Sequence, residues 1–381
     1  MKILILSRGN NLRYIDCLSD QLTLHKVFFH ASQYIINHSW LFKLIYFAEE
    51  YKFFHKTLSH QADYWKNRIF KSTDPSFPYW GRWSILQYLK RFYVPNHKAI
   101  KILSDTNPDI VLSTSLIYPP WQEDYWLALA AKLLNIPLIG FVLTWDNLTT
   151  KSLIQVMPDL IFCWNKFHKR ELMEYHKVSE DRIEMVGPYT LEKWLKPQKA
   201  TRRDKFCERY KLNPQRPILT YLCSSPAIAG DKEEKKVLEW ASAHEDYQII
   251  VRPHPDNPIE LTNKWVPNPA AVTIGGGDAF DTYFHSEKLF CLNTSAAIEA
   301  MLIGKPVEAI DPAGTNTDSI HYRELRPFWD GENHTEEIRT WLGVQDKLPS
   351  VLIKEKIESF YYDWLKKNES GIKIKLDDRT E

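Results

Sequence analysis

"CLNTSAAIEAMLIGKPVEAID", residues 291–311, is the stretch that decides the fold. An apolar strand runs into Asn293, Thr294 and Ser295, which are residue types that cap the start of a helix. The helix should end before Gly304, because glycine followed closely by proline is a common stop signal. Another apolar strand follows at 306–311. The stretch therefore predicts a strand, a helix and a further strand in direct succession.

The same alternation recurs along the chain. Short β-branched runs predict strands at 2–7, 109–114, 137–143, 160–164, 183–187, 217–224, 247–252, 271–276, 288–293 and 306–311. Helical patterns are predicted at 122–135, 166–177, 232–245, 295–303 and 353–367. Continuous apolar strands alternating with helices favour parallel sheets covered on both faces. We predict a Rossmann-like domain at 1–200, a second at 201–345, and a helix with a tail at 346–381.

The helix predicted at 295–303 is apolar all round, which is typical of a buried helix. Glu299 is its single charge and lies one turn after Ser295, on the same face. A buried carboxylate is costly without partners. We therefore expect the helix N-terminus to face a phosphate and Glu299 to accept hydrogen bonds from ligand hydroxyls. The alternative is that Glu299 lies at the rim and Ser295 only caps a core helix.

"RPHP", residues 252–255, closes the strand predicted at 247–252. Arg252 and His254 are two residues apart, so an extended backbone points both side chains the same way. Ligands of open parallel sheets bind beyond the carboxyl ends of the strands. These two cations and the helix N-terminus at Ser295 could clamp a diphosphate from two sides. The alternative is a surface loop stiffened by proline.

Two Rossmann-like halves with these motifs in the second resemble the GT-B glycosyltransferase superfamily. The nearest branch contains CDP-glycerol glycerophosphotransferases and capsule or surface-polysaccharide transferases. The resemblance implies an α/β GT-B fold, with two doubly wound domains facing across a cleft. It places the acceptor in the N-terminal domain and the nucleotide donor in the C-terminal one. The donor-binding residues it implies are Arg252, His254, Asn293, Thr294, Ser295, Glu299, Ser224 and Ser225.

"FVLTWDNLTTK", residues 141–151, supplies the candidate catalytic base. Inverting transfer needs a group that takes the proton of the acceptor hydroxyl. Asp146 follows a strand and suits that role, although lining the cleft or capping the next turn are alternatives. Glu123 and Asp124 are rival bases. Further residues expected to line the cleft are Ser7, Arg8, Gly9, Asn10, Trp145, Asn147 and Lys151.

No metal or other cofactor is expected. No two aspartates are two residues apart, so the DxD metal motif of GT-A transferases is absent from the sequence. Charge on the leaving nucleotide would then be neutralised by Arg252, His254 and helix dipoles. "GGGD", residues 275–278, lacks the GxGxxG spacing and, by its pattern, a following helix. It is interpreted as a flexible loop near the donor.

Composition limits the partners. The net charge of +1 gives no reason to expect nucleic-acid binding. Five scattered cysteines without a CxxC pair favour reduced thiols and a cytoplasmic protein. Residues 41–101 hold eleven Lys and Arg against four Asp and Glu, interleaved with aromatic residues. This region predicts peripheral binding to the anionic inner face of a membrane. The alternative is a set of helices whose lysine side chains only cover their own aromatic residues.

The resemblance implies a metal-independent, inverting glycosyltransferase of surface polysaccharide synthesis. Its donor would be a nucleotide sugar and its acceptor a glycan or a lipid-linked glycan. Three alternatives stay open at this point: a CDP-glycerol-type glycerophosphotransferase, a nucleotide-sugar epimerase, and a non-catalytic nucleotide-binding subunit.

Overall fold

The computed structural model describes residues 1–6, 16–18, 24–25, 97–117, 123–224, 232–255, 271–274, 277–292, 294–310 and 324–377. The chain forms two compact units. The first comprises Met1–Glu192 and Leu342–Glu381, and the second comprises Lys193–Trp341. The sequence places the boundary near residue 200, whereas the division in the structure falls after Glu192. The C-terminal helix belongs to the first unit.

The first unit is built on a six-stranded parallel sheet of order β2-β1-β3-β4-β5-β6. Its strands are β1 (Ile3–Leu6), β2 (Leu24–His25), β3 (Ile110–Ser113), β4 (Leu138–Phe141), β5 (Leu160–Cys163) and β6 (Ile183–Met185). All but β2 are predicted by the sequence. Two residues of β2 carry too little pattern to be recognised.

The second unit is built on a five-stranded sheet of order β11-β10-β7-β8-β9, also parallel. Its strands are β7 (Ile218–Leu222), β8 (Gln248–Arg252), β9 (Ala271–Thr273), β10 (Lys288–Cys291) and β11 (Val307–Ala309). All five are predicted. Their residues are mostly buried, as expected of parallel strands covered on both faces.

Within the described residues, most helices lie between strands. In chain order they are α1 (His97–Thr106), α2 (Glu123–Leu133), α3 (Asn147–Thr150), α4 (Lys166–Glu174), α5 (Glu192–Leu195), α6 (Arg203–Tyr210), α7 (Lys232–Ser242), α8 (Ala279–His285), α9 (Ser295–Leu302), α10 (Thr335–Leu342) and α11 (Pro349–Asp377). The five predicted helices correspond to α2, α4, α7, α9 and α11.

Both sheets are covered on both faces. In the second unit, α7 packs Val237 and Trp240 on the face formed by Leu219 and its neighbours. The opposite face carries Ile218 and Ile250 and is covered by Phe206 of α6. In the first unit, α1, α2 and α4 contribute to the apolar clusters on one face, and the strand residues of the opposite face are buried as well. Each unit is a doubly wound α/β domain.

A buried carboxylate fixes the C-terminal helix to the first unit. Glu192 is 1% exposed, and its Oε2 accepts a hydrogen bond from the Ser350 backbone N–H at 2.6 Å. Its Oε1 accepts from the Ser350 hydroxyl at 2.9 Å. Ser350 lies in the first turn of α11, where free N–H groups and the helix dipole favour a negative charge. Pro349 suits the first helical position, since its missing N–H would be unpaired there.

None of the described helices is long and apolar enough to cross a bilayer. The five cysteines are free thiols, and four of them are buried.

Candidate functional site

The candidate site lies at the carboxyl edge of the sheet in the second unit. From β7 the strand order runs to β8 and β9 on one side and to β10 and β11 on the other. The strand order therefore reverses between β7 and β10, which is where open α/β sheets bind ligands. Ser224, just after β7, is fully buried at this edge. The segment after β10 leads into α9. Ser225 and Asn293 lie outside the described residues.

The N-terminus of α9 has the predicted form. Thr294 is the N-cap residue, with extended backbone, and its hydroxyl accepts a hydrogen bond from the Ala296 N–H at 3.4 Å. Ser295 is the first helical residue and is exposed. The helix ends at Leu302, and Gly304 follows with φ of +84°, a conformation that glycine adopts without strain. The exposed start of a helix carries the positive end of the helix dipole, which favours an anion.

Arg252 is anchored beside this edge. Its Nη1 donates to the Thr282 hydroxyl at 3.4 Å, and its Nη2 donates to the Gly277 carbonyl at 3.2 Å. Ile250, two residues earlier in β8, packs on the same face, which α6 covers. The guanidinium is therefore held by the start of α8 and the turn before it. His254 follows Pro253 and is partly buried.

Glu299 is partly buried, and its Oε2 accepts a hydrogen bond from the Tyr283 hydroxyl at 3.2 Å. Burial raises the pKa of Glu299, while the charge of Lys193, the Tyr283 hydrogen bond and the charge of Arg252 partly oppose this rise. Burial, with the nearby Glu299 charge, raises the pKa of Tyr283 well above its usual value, so the phenol stays protonated as a donor. Arg252 lies near both groups, and its charge lowers the pKa of each.

An aromatic layer supports Tyr283. The Trp194 ring stacks on it, with ring centroids 5.3 Å apart and an interplanar angle of 25°. The Lys193 ammonium lies over the Trp194 ring, 4.3 Å from its centroid. Tyr283 and Trp194 are both buried. This layer restricts the Tyr283 ring, and therefore the position from which it donates to Glu299.

Sequence reasoning missed Lys193, Trp194, Thr282 and Tyr283. Thr282 and Tyr283 lie on α8, whose existence contradicts the interpretation of "GGGD" as a loop with no helix after it. Asp278 is the N-cap residue of α8, and its carboxylate accepts from the Phe280 N–H at 3.0 Å. The signal was present, because aspartate before an apolar run commonly starts a helix. Gly277 adopts φ of +71° just before it. Gly275 and Gly276 lie outside the described residues.

In the first unit, the Asp146 carboxylate is engaged by its own loop. Its Oδ1 accepts from the Thr144 hydroxyl at 2.8 Å, and the single Thr150 hydroxyl hydrogen is shared between its Oδ2 at 3.0 Å and the Asp146 carbonyl at 2.9 Å. Asp146 is the N-cap residue of α3, although its side chain makes no cap hydrogen bond to the backbone. Asn147 and Trp145 are buried. The hydroxyl contacts hold the carboxylate in one orientation and leave it partly exposed.

Several predicted residues lie where little or nothing is described. Glu123 and Asp124 begin α2, but their side chains are outside the described residues, as are Ser7, Arg8, Gly9 and Asn10. Lys151 is partly buried just after α3. Residues 41–96 of the basic, aromatic region are outside as well. Within the described ranges, no three His, Cys, Asp or Glu side chains come together as a metal site would require.

No protein-family model matches the chain, and no curated protein matches it. Solved structures with a similar fold do match the chain. A putative UDP-N-acetylglucosamine 2-epimerase from Listeria monocytogenes is 14% identical, with 95% of this chain and 96% of that chain covered and a TM-score of 0.52. UDP-GlcNAc 2-epimerase from Neisseria meningitidis, bound to UDP-GlcNAc, is 14% identical over 94% and 100% of the two chains, with a TM-score of 0.49. A glycosyltransferase from Rickettsia africae is 13% identical over 96% and 98%, with a TM-score of 0.45.

At this identity the similarity to the Listeria structure shows the fold alone. Together with the two doubly wound units, it confirms the predicted class: an α/β protein of GT-B fold with two Rossmann-like domains. The narrower resemblance to the CDP-glycerol branch stays a prediction.

Proposed function

We propose that this chain is a nucleotide-sugar-dependent enzyme, and specifically a glycosyltransferase of surface polysaccharide synthesis. The observation that carries the proposal is Glu299, the single carboxylate of an otherwise apolar helix, which is hydrogen-bonded to Tyr283 and lies near the charge of Arg252 at the sheet's switch point. A charged network at the place where α/β sheets bind ligands is costly to maintain for stability alone. It suits a ligand that carries both phosphates and hydroxyls.

Each part of the site matches one part of a nucleotide-sugar donor. The start of α9, with Thr294 and Ser295, offers backbone N–H groups and a positive dipole end to the phosphates. Arg252 and His254 supply the cationic donors that neutralise the leaving nucleotide. Glu299 accepts hydrogen bonds from the ribose hydroxyls. On this proposal the phosphates need no metal ion.

Transfer also needs a base for the acceptor hydroxyl. Asp146 is our candidate, since its two hydroxyl contacts orient the carboxylate without neutralising it. The acceptor oxygen attacks the anomeric carbon from the side opposite the nucleotide, the bond from that carbon to the phosphate oxygen breaks, and the base takes the acceptor proton. The nucleoside diphosphate leaves, and this single displacement inverts the anomeric carbon. Glu123 and Asp124 stay rival candidates. The acceptor would be a glycan or a lipid-linked glycan.

A panel of UDP-, GDP-, ADP- and CDP-linked donors, including CDP-glycerol, tests the proposal by calorimetry. Binding of at least one nucleotide diphosphate, weakened in Glu299→Ala, is expected. NMR of the products then separates the chemistries. A free nucleotide with a new glycosidic bond supports transfer. Nucleoside monophosphate with a glycerophosphate product indicates the CDP-glycerol reaction. No nucleotide binding by the folded chain contradicts the proposal.

An epimerase is the second candidate, because the Listeria structure with the same fold carries the description of a putative UDP-N-acetylglucosamine 2-epimerase. It is recognised by a changed sugar that is still attached to its nucleotide. Isotope exchange from solvent into the sugar ring would accompany such a reaction. Neither is expected of a transferase.

The enzyme is further proposed to work at the cytoplasmic face of a membrane, through the basic region 41–101. Near an anionic leaflet each outward Lys or Arg contributes about 1 kcal/mol, and salt screens this attraction. Co-sedimentation with anionic vesicles at low salt, lost at high salt and with neutral vesicles, is expected. Equal sedimentation with both lipids, or none at low salt, contradicts the membrane role.

A further inference from the structure

A buried histidine joins the two sides of the loop that carries α3. The His176 ring is 3% exposed, and its Nδ1 accepts from the Ile154 N–H at 3.2 Å. That bond requires an unprotonated Nδ1, so the ring hydrogen is on Nε2, which donates to the Leu148 carbonyl at 2.8 Å. One neutral imidazole thus ties a carbonyl within α3 to an amide beyond it.

A second histidine makes the same kind of bridge just before α3. His168 is fully buried, and its Nδ1 accepts from the Trp164 N–H at 3.4 Å. Its Nε2 therefore donates to the Trp145 carbonyl at 3.0 Å. His168 itself is fixed near the start of α4, where the Asn165 side chain accepts from its backbone N–H at 3.0 Å.

The two bridges hold the backbone on either side of Asp146. Trp145 precedes it directly, and Leu148 follows two residues later. Asp146 accepts from Thr144 and Thr150 within the same segment, so its carboxylate moves with that backbone. A four-residue helix is too short to be stable by itself. The orientation of the carboxylate therefore depends on contacts from α4 and the residues after it.

We propose that His168 and His176 are positioning residues, which fix the 145–154 segment and through it the Asp146 carboxylate. The assignment rests on the proposed function only where a fixed 145–154 segment is said to be needed for turnover. Each ring supplies one donor and one acceptor at opposite ends of a rigid plane, and this is what the two backbone partners require. Glutamine also carries one acceptor and a donor, whereas leucine carries neither.

The test compares His176→Leu and His168→Leu with the matching glutamine variants, by hydrogen exchange and kinetics. His244→Gln is the control, because His244 also contacts a backbone carbonyl but lies in the second unit. In the leucine variants, exchange of amides in 145–154 should rise about 30-fold, as expected for loss of two bonds that each contribute about 1 kcal/mol. The glutamine variants should stay within about threefold of wild type, since an amide can remake one or both bonds.

The kinetic arm uses the donor found in the calorimetric panel. Turnover, kcat, should fall about tenfold in the leucine variants, and donor Kd should stay within about twofold, because the donor binds the other unit. Recovery in the glutamine variants supports positioning. Three results would each overturn the positioning role. Exchange could rise equally throughout the first unit, the glutamine variants could be as impaired as the leucine variants, or kcat could stay unchanged although amides in 145–154 exchange faster. If the leucine variants do not fold, His168→Asn and His176→Asn replace them. The shorter asparagine side chain should reach only one of the two backbone partners, so the increase in exchange and the fall in kcat should be intermediate.

If wild-type protein turns over no donor, the proposed function fails, and exchange alone decides whether the histidines fix the segment.

Discussion

Acidification should destabilise the first unit through His176. Burial lowers the pKa of His176 from its ordinary 6.5 to about 4, and the Leu148 carbonyl only partly opposes this. Between these two values the unfolded chain binds a proton that the folded chain does not. The free energy of unfolding therefore rises with pH across this window. The stabilisation is complete above pH 6.5 and is lost as the pH falls towards 4.

The size of the effect follows from the shift. A difference of about 2.5 pKa units corresponds to about 3 kcal/mol between pH 7 and pH 4. Since a whole domain is typically stable by about 5–15 kcal/mol, this one ring removes a large part of the stability of the unit.

The measurement compares wild type with His176→Gln, which cannot take up the proton. Because a two-unit chain need not unfold in one step, native-state hydrogen exchange of amides in β4 and β5 reports the first unit alone. Wild type should lose about 3 kcal/mol more than the variant between pH 7 and pH 4. His244→Gln, in the second unit, should retain the wild-type slope. Equal pH slopes for wild type and His176→Gln would refute the reasoning.

Four further predictions concern the candidate site and the fold. Glu299→Ala should weaken nucleotide binding by about 1.5–3 kcal/mol, while Tyr283→Phe, which keeps the carboxylate, should weaken it less; unchanged affinity by calorimetry in both folded variants contradicts the ribose role. Asp146→Asn should keep donor affinity while turnover falls about 10²–10⁴-fold, and a near-wild-type rate would shift the role of base elsewhere. Activity should survive EDTA, and complete loss restored by Mg²⁺ or Mn²⁺ would show that the phosphates need a cation. Glu192→Ala should release the start of α11, at a cost of about 2–3 kcal/mol, seen as faster exchange near Ser350; unchanged protection there contradicts the docking role of Glu192.

The sequence by itself determined most of the described strands, five of the described helices and the class of fold. Ten of the eleven strands in the described part of the chain follow from short apolar runs, because a strand buried on both faces needs apolar residues throughout. Helix α9 is determined by Thr294 at its start and Gly304 after its end, and both signals act within one or two turns. The fold class follows from the order of these elements, since strands that alternate with helices pair in parallel.

Only the tertiary structure decided which distant groups meet. Tyr283 and Glu299 are 16 residues apart, and Glu192 and Ser350 are 158 apart. Neither pair has a local signal, because a hydrogen bond of this kind depends on how whole helices pack and not on residue spacing. The sequence accordingly assigned the C-terminal helix to a segment of its own, whereas Glu192 fixes it to the first unit. The side chains proposed to bind the donor were selected by their chemistry, but the partners that orient them were decided by packing.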